Sequence, residues 1–190
     1  MKPAAAAAAG GLAGLTWAAG FRGYMAALAG PDSEVTWYGT LAGVLAPAAA
    51  VGALFGWAEQ RRLAGEDLPH RRVIAAAPVV IGILPLTKPG AVATLRKSGE
   101  GSAAGAVALA AIGGGYAIAG RGPIWTRVTT GVVAAAVAAG TAASVPSIGG
   151  RRLSLAKPQG ALTAILGAGS VLTFILAASI PFRGRDARKS

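Results

Sequence analysis

Residues 159–182 read QGALTAILGAGSVLTFILAASIPF, an uncharged run closed by Lys157 before it and Arg183 after it. A helix rises 1.5 Å per residue, so roughly 20 apolar residues cross a hydrocarbon core of ~30 Å. This stretch is long enough. The few polar side chains in it are Gln159 at the start and the hydroxyls of Thr163, Ser170, Thr173 and Ser179. Hydroxyls can bond back to the carbonyls of their own helix, so they do not oppose burial in lipid.

Working outward, four more stretches meet the same length criterion: 4–29, 35–58, 102–120 and 128–145. A sixth, 73–87, reads VIAAAPVVIGILPLT and stops at Lys88. Its 15 residues reach only about 22 Å as a helix, and Pro78 and Pro85 would kink it. It crosses if Lys88 snorkels or the bilayer thins; the alternative is a re-entrant segment. The fold class expected is all-α, a polytopic transmembrane bundle of six segments, or five plus one re-entrant. It forms one integral membrane domain over 1–190 with a basic cytoplasmic tail at 183–190.

Composition agrees. Apolar residues make up 54% and charged residues 13%, about half the ~25% of soluble domains. Ala (47) and Gly (29) fill much of the chain, which lets helix backbones approach closely. Four GxxxG pairs occur, at Gly10/Gly14, Gly39/Gly43, Gly52/Gly56 and Gly101/Gly105. That is about the number expected from glycine content alone, so the count by itself carries no information. There is no Cys and His70 is the only histidine, which excludes disulfides, thiolate metal sites and any mechanism needing two imidazoles. No metal and no cofactor is expected.

The formal charge is +11. The cations sit in short clusters between apolar runs, with no interleaved aromatics, so they argue for lipid headgroups as partners and against nucleic acid. With six spans and a cytoplasmic N-terminus, 11 Lys and Arg fall inside and 6 outside; with five spans the split is again 11 to 6. The positive-inside rule fixes the orientation in both cases and the number of spans in neither. The apolar run from Lys2 continues past Arg22 to Ala29, which is long for a signal peptide. Gly23-Tyr24, Ala29-Gly30 and Trp37 have counterparts in Gly115-Tyr116, Ala119-Gly120 and Trp125. This is a weak trace of inverted three-span halves.

Residues 21–40, FRGYMAALAGPDSEVTWYGT, gather Arg22, Tyr24, Asp32, Glu34, Trp37 and Tyr38. Arg22 lies about 8 Å from the centre of its span, and an intramembrane ionisable residue is a site by default. Two roles compete. As an anchor, Arg22 would pair with Asp32 or Glu34 across the first hairpin, with Trp37 and Tyr38 in the aromatic belt. As a binder, its guanidinium would hold a carboxylate, a phosphate or a lipid headgroup. Asp67 and His70 in the loop 59–72 are the nearest thing to an acid/base pair, but Pro69 keeps them off a common helix face. No catalytic residue is therefore assigned. No carboxylate lies within a span, which argues against proton-coupled or cation transport.

The segments RGYMAALAG (22–30) and WYGTLAGVL (37–45), in their Ala-rich setting, resemble small Ala/Gly-rich polytopic membrane proteins of high-GC bacteria. The resemblance covers mainly residues 20–60. It implies a bacterial inner-membrane location and carries no activity. The function expected is a small permease-like or lipid/solute-handling protein with an anion-interacting Arg22. A non-catalytic subunit packing on a membrane partner or a second copy is the alternative, and a membrane-embedded enzyme the third.

Overall fold

The computed structural model describes residues 2–87 and 102–184, and every regular element in them is helical. Helix α1 (Pro3–Ala29) starts with Pro3 at N1, where a missing N–H is harmless. It ends at Gly30, whose φ of 64° favours a residue without Cβ. Helix α2 begins as a π-helical stretch, Trp37–Leu45, and continues as α-helix over Ala46–Leu63. Two short helices follow, α3 (Arg71–Ala76) and α4 (Pro78–Ile83), with a 3₁₀ turn at Leu84–Thr87. Then come α5 (Ser102–Ile118), α6 (Ile124–Gly149) and α7 (Pro158–Ala178).

Four helical stretches are long and apolar enough to cross a membrane: Pro3–Ala29, Trp37–Leu63, Ile124–Leu153 and Pro158–Phe182. These answer to the expected spans 4–29, 35–58, 128–145 and 159–182. The expected spans 73–87 and 102–120 are realised as shorter pieces. The first breaks at Pro78, which has no N–H to return to Ile74, so Ala77 closes a tighter bond to that carbonyl at 3.2 Å. The second is a single helix of 17 residues. Lys88, expected to snorkel, and the tail beyond Gly184 lie outside the described residues. The two halves are not matched in length: α1 has 27 residues where α5 has 17.

The bundle has a basic end and an opposite end. At the basic end, Arg71 donates to the carbonyls of Pro181 and Phe182, Arg62 donates to Gly184 O, and Phe182 meets Tyr116 edge-on. At the opposite end, Arg152 donates to Leu28 O at 3.1 Å and covers Gly30. The segment from Arg71 leaves the basic end and brings Leu84 beside Arg22 and Glu34 at the other. Helix α5 returns: Gly82 packs on Ala104 and Ala108 near its start, and Gly115 rests on Ala178 and Ser179 near its end. Exposed aromatics mark both ends, with Trp37 and Tyr38 at one and Trp125 at the other.

Helices α1 and α2 interlock through two of the four GxxxG pairs. A Cβ built on Gly10 would run into Gly52 O and Gly56 Cα, and one on Gly14 into Ala48 O and Gly52 Cα. Gly52 and Gly56 meet Gly10 O and Ala6 O in return. Backbone lies directly on backbone, a geometry only glycine allows and one that brings Cα–H groups against carbonyls. On the α7 side, α1 presents a stripe of aromatics: Trp17 stacks on Phe21 at 5.5 Å, Phe21 on Tyr24 at 5.8 Å, and Trp17 tilts on Phe174 at 4.6 Å. No buried side-chain polar atom lacks a partner among the described residues.

Candidate functional site

The π-helical entry to α2 shapes the site, and its cause is local. Thr36 caps it: the Thr36 hydroxyl accepts from Gly39 N–H at 3.0 Å, while Thr36 N–H donates to the Thr40 hydroxyl at 3.3 Å. Downstream, Pro47 has no N–H for the Gly43 carbonyl, and its ring crowds that carbonyl. The ladder therefore slips by one residue, so that Ala46 N–H reaches Leu41 O. π-helical stretches are rare and occur often at functional sites.

The slip leaves a cavity of about 410 Å³ between α1, the π segment, α4 and the first turn of α5. Arg22, Glu34, Thr36 and Thr40 supply its polar end; Trp17, Phe21, Met25, Val44, Ile81 and Leu84 supply the rest. Within it Arg22 donates one Nη to Ser33 Oγ at 3.0 Å and the other to the main-chain carbonyl of Glu34. Sequence reasoning expected a carboxylate partner for Arg22. Among the described residues the guanidinium anchors the hairpin through a hydroxyl and a carbonyl, because the turn at Gly30–Asp32 brings the main chain of 33–34 back over α1. The Asp32 side chain lies outside the described residues.

The six residues singled out in the sequence therefore separate. Arg22 and Glu34 share the cavity. Tyr24 is buried on another face of α1, against Gly167, with its hydroxyl donating to Thr141 O at 3.0 Å. Trp37 and Tyr38 point outward, 83% and 80% exposed. Trp17, Thr36, Thr40 and Ile81 belong to the site and were not singled out. The Thr36-x-x-x-Thr40 spacing ahead of Pro47 was the available signal. Asp67 is exposed, and His70 is an exposed residue in the left-handed region (φ 49°) that starts α3. No cluster of three or more metal-ligating side chains occurs among the described residues.

A second cavity, of about 390 Å³ and almost wholly apolar, lies beside the first. Its floor is the glycine crossing of α1 and α2, its wall is Thr173, Phe174 and Ala177 of α7, and Glu59 and Gln60 mark its far end. The two cavities have Trp17 and Ile81 in common. Trp17 is held there by its Nε1–H, which donates to Ser170 O at 2.8 Å.

The Arg22 geometry makes a graded prediction. Lysine supplies the charge but on one nitrogen, without the rigid planar fork, so Arg22→Lys should lose about 0.5 kcal/mol and Arg22→Ala about 1–2 kcal/mol of folding stability. Denaturant unfolding in a fixed detergent measures both. Equal stability of lysine and wild type would mean the fork contributes nothing. Comparison with known family models, curated proteins and solved structures gives no match to this chain.

Proposed function

We propose that the protein is a six-pass inner-membrane protein that handles an amphiphile, a lipid-class molecule with an anionic group and an apolar body. The observation that carries this reading is the pair of cavities meeting at Trp17 and Ile81. Together they make a track along α1 and α2 that is polar at the Arg22 end and apolar over most of its length. Such a lining suits a molecule with one polar head. Arg22 spends two of its five N–H donors on Ser33 and Glu34, leaving donors for an anion.

The six-pass reading draws support from the alternating path, in which Arg71–Thr87 and α5 run in opposite directions between the two ends. Shorter segments inside a bundle are acceptable because neighbours can re-satisfy a broken backbone. Lys2, Arg61, Arg62, Arg71, Arg72, Arg121, Arg127 and Arg183 share the basic end, which the positive-inside rule puts in the cytoplasm with the N-terminus.

The test is transbilayer movement of a fluorescent phospholipid in vesicles containing the purified protein. Wild type should move it faster than protein-free vesicles do. Ile81→Trp narrows the junction; an added barrier of about 1–3 kcal/mol to passage slows movement roughly 5- to 150-fold, with the melting curve as the check on folding. No acceleration by wild type, or equal rates for wild type and Ile81→Trp, would refute the reading. A second protein that co-purifies stoichiometrically, with no lipid movement, would favour the non-catalytic subunit instead.

A further inference from the structure

The basic end holds a third cavity, of about 160 Å³, well above the ~30 Å³ that a water occupies. Unlike the other two it is mostly polar, and four separate segments each send an arginine to it: Arg62 from the end of α2, Arg71 from the start of α3, Arg121 from the α5–α6 turn and Arg183 after α7. Glu66 and Asp67 line it as well.

The charges do not cancel. Glu59 grips Arg62 through two contacts of 2.8 Å, and Glu66 pairs with Arg61 at 3.1 Å. Among the described residues that line the cavity, Arg62, Arg71, Arg121 and Arg183 outnumber Glu66 and Asp67 by two charges. Arg71 is fixed in place by its bonds to the carbonyls of Pro181 and Phe182. Arg121 lies against Gly184, where a Cβ would collide with its guanidinium. The guanidinium groups of Arg121 and Arg183 make no hydrogen bond or ion pair among the described residues. Converging like charges are held apart by mutual repulsion unless an anion joins them, and forked guanidinium donors match phosphate oxygens.

We infer that this cavity binds a phosphate group. Its position says more: Ile180 lines both this cavity and the apolar cleft on the glycine crossing, and Glu59, which holds Arg62, lines the cleft. A phospholipid with its phosphate among the arginines has the cleft beside it for an acyl chain. The chain's seat rests on the amphiphile reading above; the phosphate site rests on the arginines alone.

The experiment uses the full-length protein in a phosphate-free detergent solution and follows its melting temperature and native mass spectrum. The probes are phosphatidylglycerol, phosphatidylcholine and inorganic phosphate. Phosphatidylglycerol should bind and raise the melting temperature. The double variant R121Q/R183Q should bind it about tenfold more weakly, the loss of one or two charge-assisted hydrogen bonds. The variant K2Q/R72Q removes the same charge at the same end outside the cavity and should bind as wild type does. Should R121Q/R183Q fold poorly, R183Q alone, with circular dichroism as a folding check, should show a smaller loss in the same direction. A melting shift with inorganic phosphate alone assigns the site to free phosphate; a shift with phosphatidylglycerol only assigns it to a headgroup. Equal weakening in R121Q/R183Q and K2Q/R72Q would reduce the effect to diffuse surface charge; that outcome, or no binding of any probe, overturns the site. Because phosphate binding is read without lipid movement, its failure and the failure of the amphiphile reading are separable.

Discussion

Replacing Gly52 by alanine should destabilise the protein by about 2–3 kcal/mol, and valine at the same position should abolish folded yield. The added methyl has nowhere to go. Its neighbours are Gly10 O, Gly14 Cα at 2.9 Å and Gly14 N at 3.0 Å, all main-chain atoms that move only if a whole helix moves. Separating α1 from α2 forfeits dispersion along the full crossing, and lipid tails offer no hydrophobic compensation. The control is one position along from Gly10. Gly11→Ala meets Ala49 O at an ordinary 3.5 Å and should be near neutral. Gly140→Ala, with nothing within 4 Å, should stabilise by about 0.5–1 kcal/mol through helix propensity and a stiffer unfolded chain. Folded yield of Gly52→Val and denaturant unfolding of the three alanine variants in one detergent decide the matter. Indistinguishable midpoints for Gly52→Ala and Gly140→Ala would mean that the crossing is not tight. Since the same glycines floor the apolar cleft, a splayed Gly52→Ala should also retain less lipid on purification.

The glycine crossing shows where sequence reading stops. Four GxxxG pairs match chance, and counting cannot see that Gly10/Gly14 and Gly52/Gly56 fall in register; register depends on the length of the hairpin between them. The long uncharged runs, by contrast, were legible because bilayer thickness sets a length that α1, α2, α6 and α7 all meet. The prolines at 78 and 85 warned that 73–87 would break, though not that it would break into α3 and α4. Tyr24 does not share the Arg22 cavity because residues two apart on a helix differ by about 200° and face apart. The π segment was hidden because its cause is split between a cap at Thr36 and a missing donor at Pro47, eleven residues apart. The arginine cavity was illegible for a different reason. Its members come from four segments, and only the packing of α2, α3, α5 and α7 brings them together.

Three consecutive glycines in α5 give the second large effect, and it bears on how that short helix sits. A Cβ on Gly115 would lie 2.6 Å from Ala178 C and 2.8 Å from Ser179 N; one on Gly114 would meet Ala134 Cβ and Ile175 Cγ2 at 2.8 Å; one on Gly113 only Thr130 Cβ at 3.4 Å. The neighbours thus grade from main chain, through the Ala134 methyl and the branched Ile175 side chain, to near-normal contact. Alanine scanning should grade likewise. Gly115→Ala is expected to lose about 3 kcal/mol, Gly114→Ala about 1–2 kcal/mol, and Gly113→Ala within about 0.5 kcal/mol of wild type. At 17 residues, α5 reaches about 26 Å and so depends on being wedged between α6 and α7 more than on its own length. A helix lying free at the membrane surface would respond in the opposite way, with each alanine raising stability through propensity alone. The sign of the Gly115→Ala effect therefore decides whether α5 is clamped within the bundle, the arrangement a sixth crossing requires.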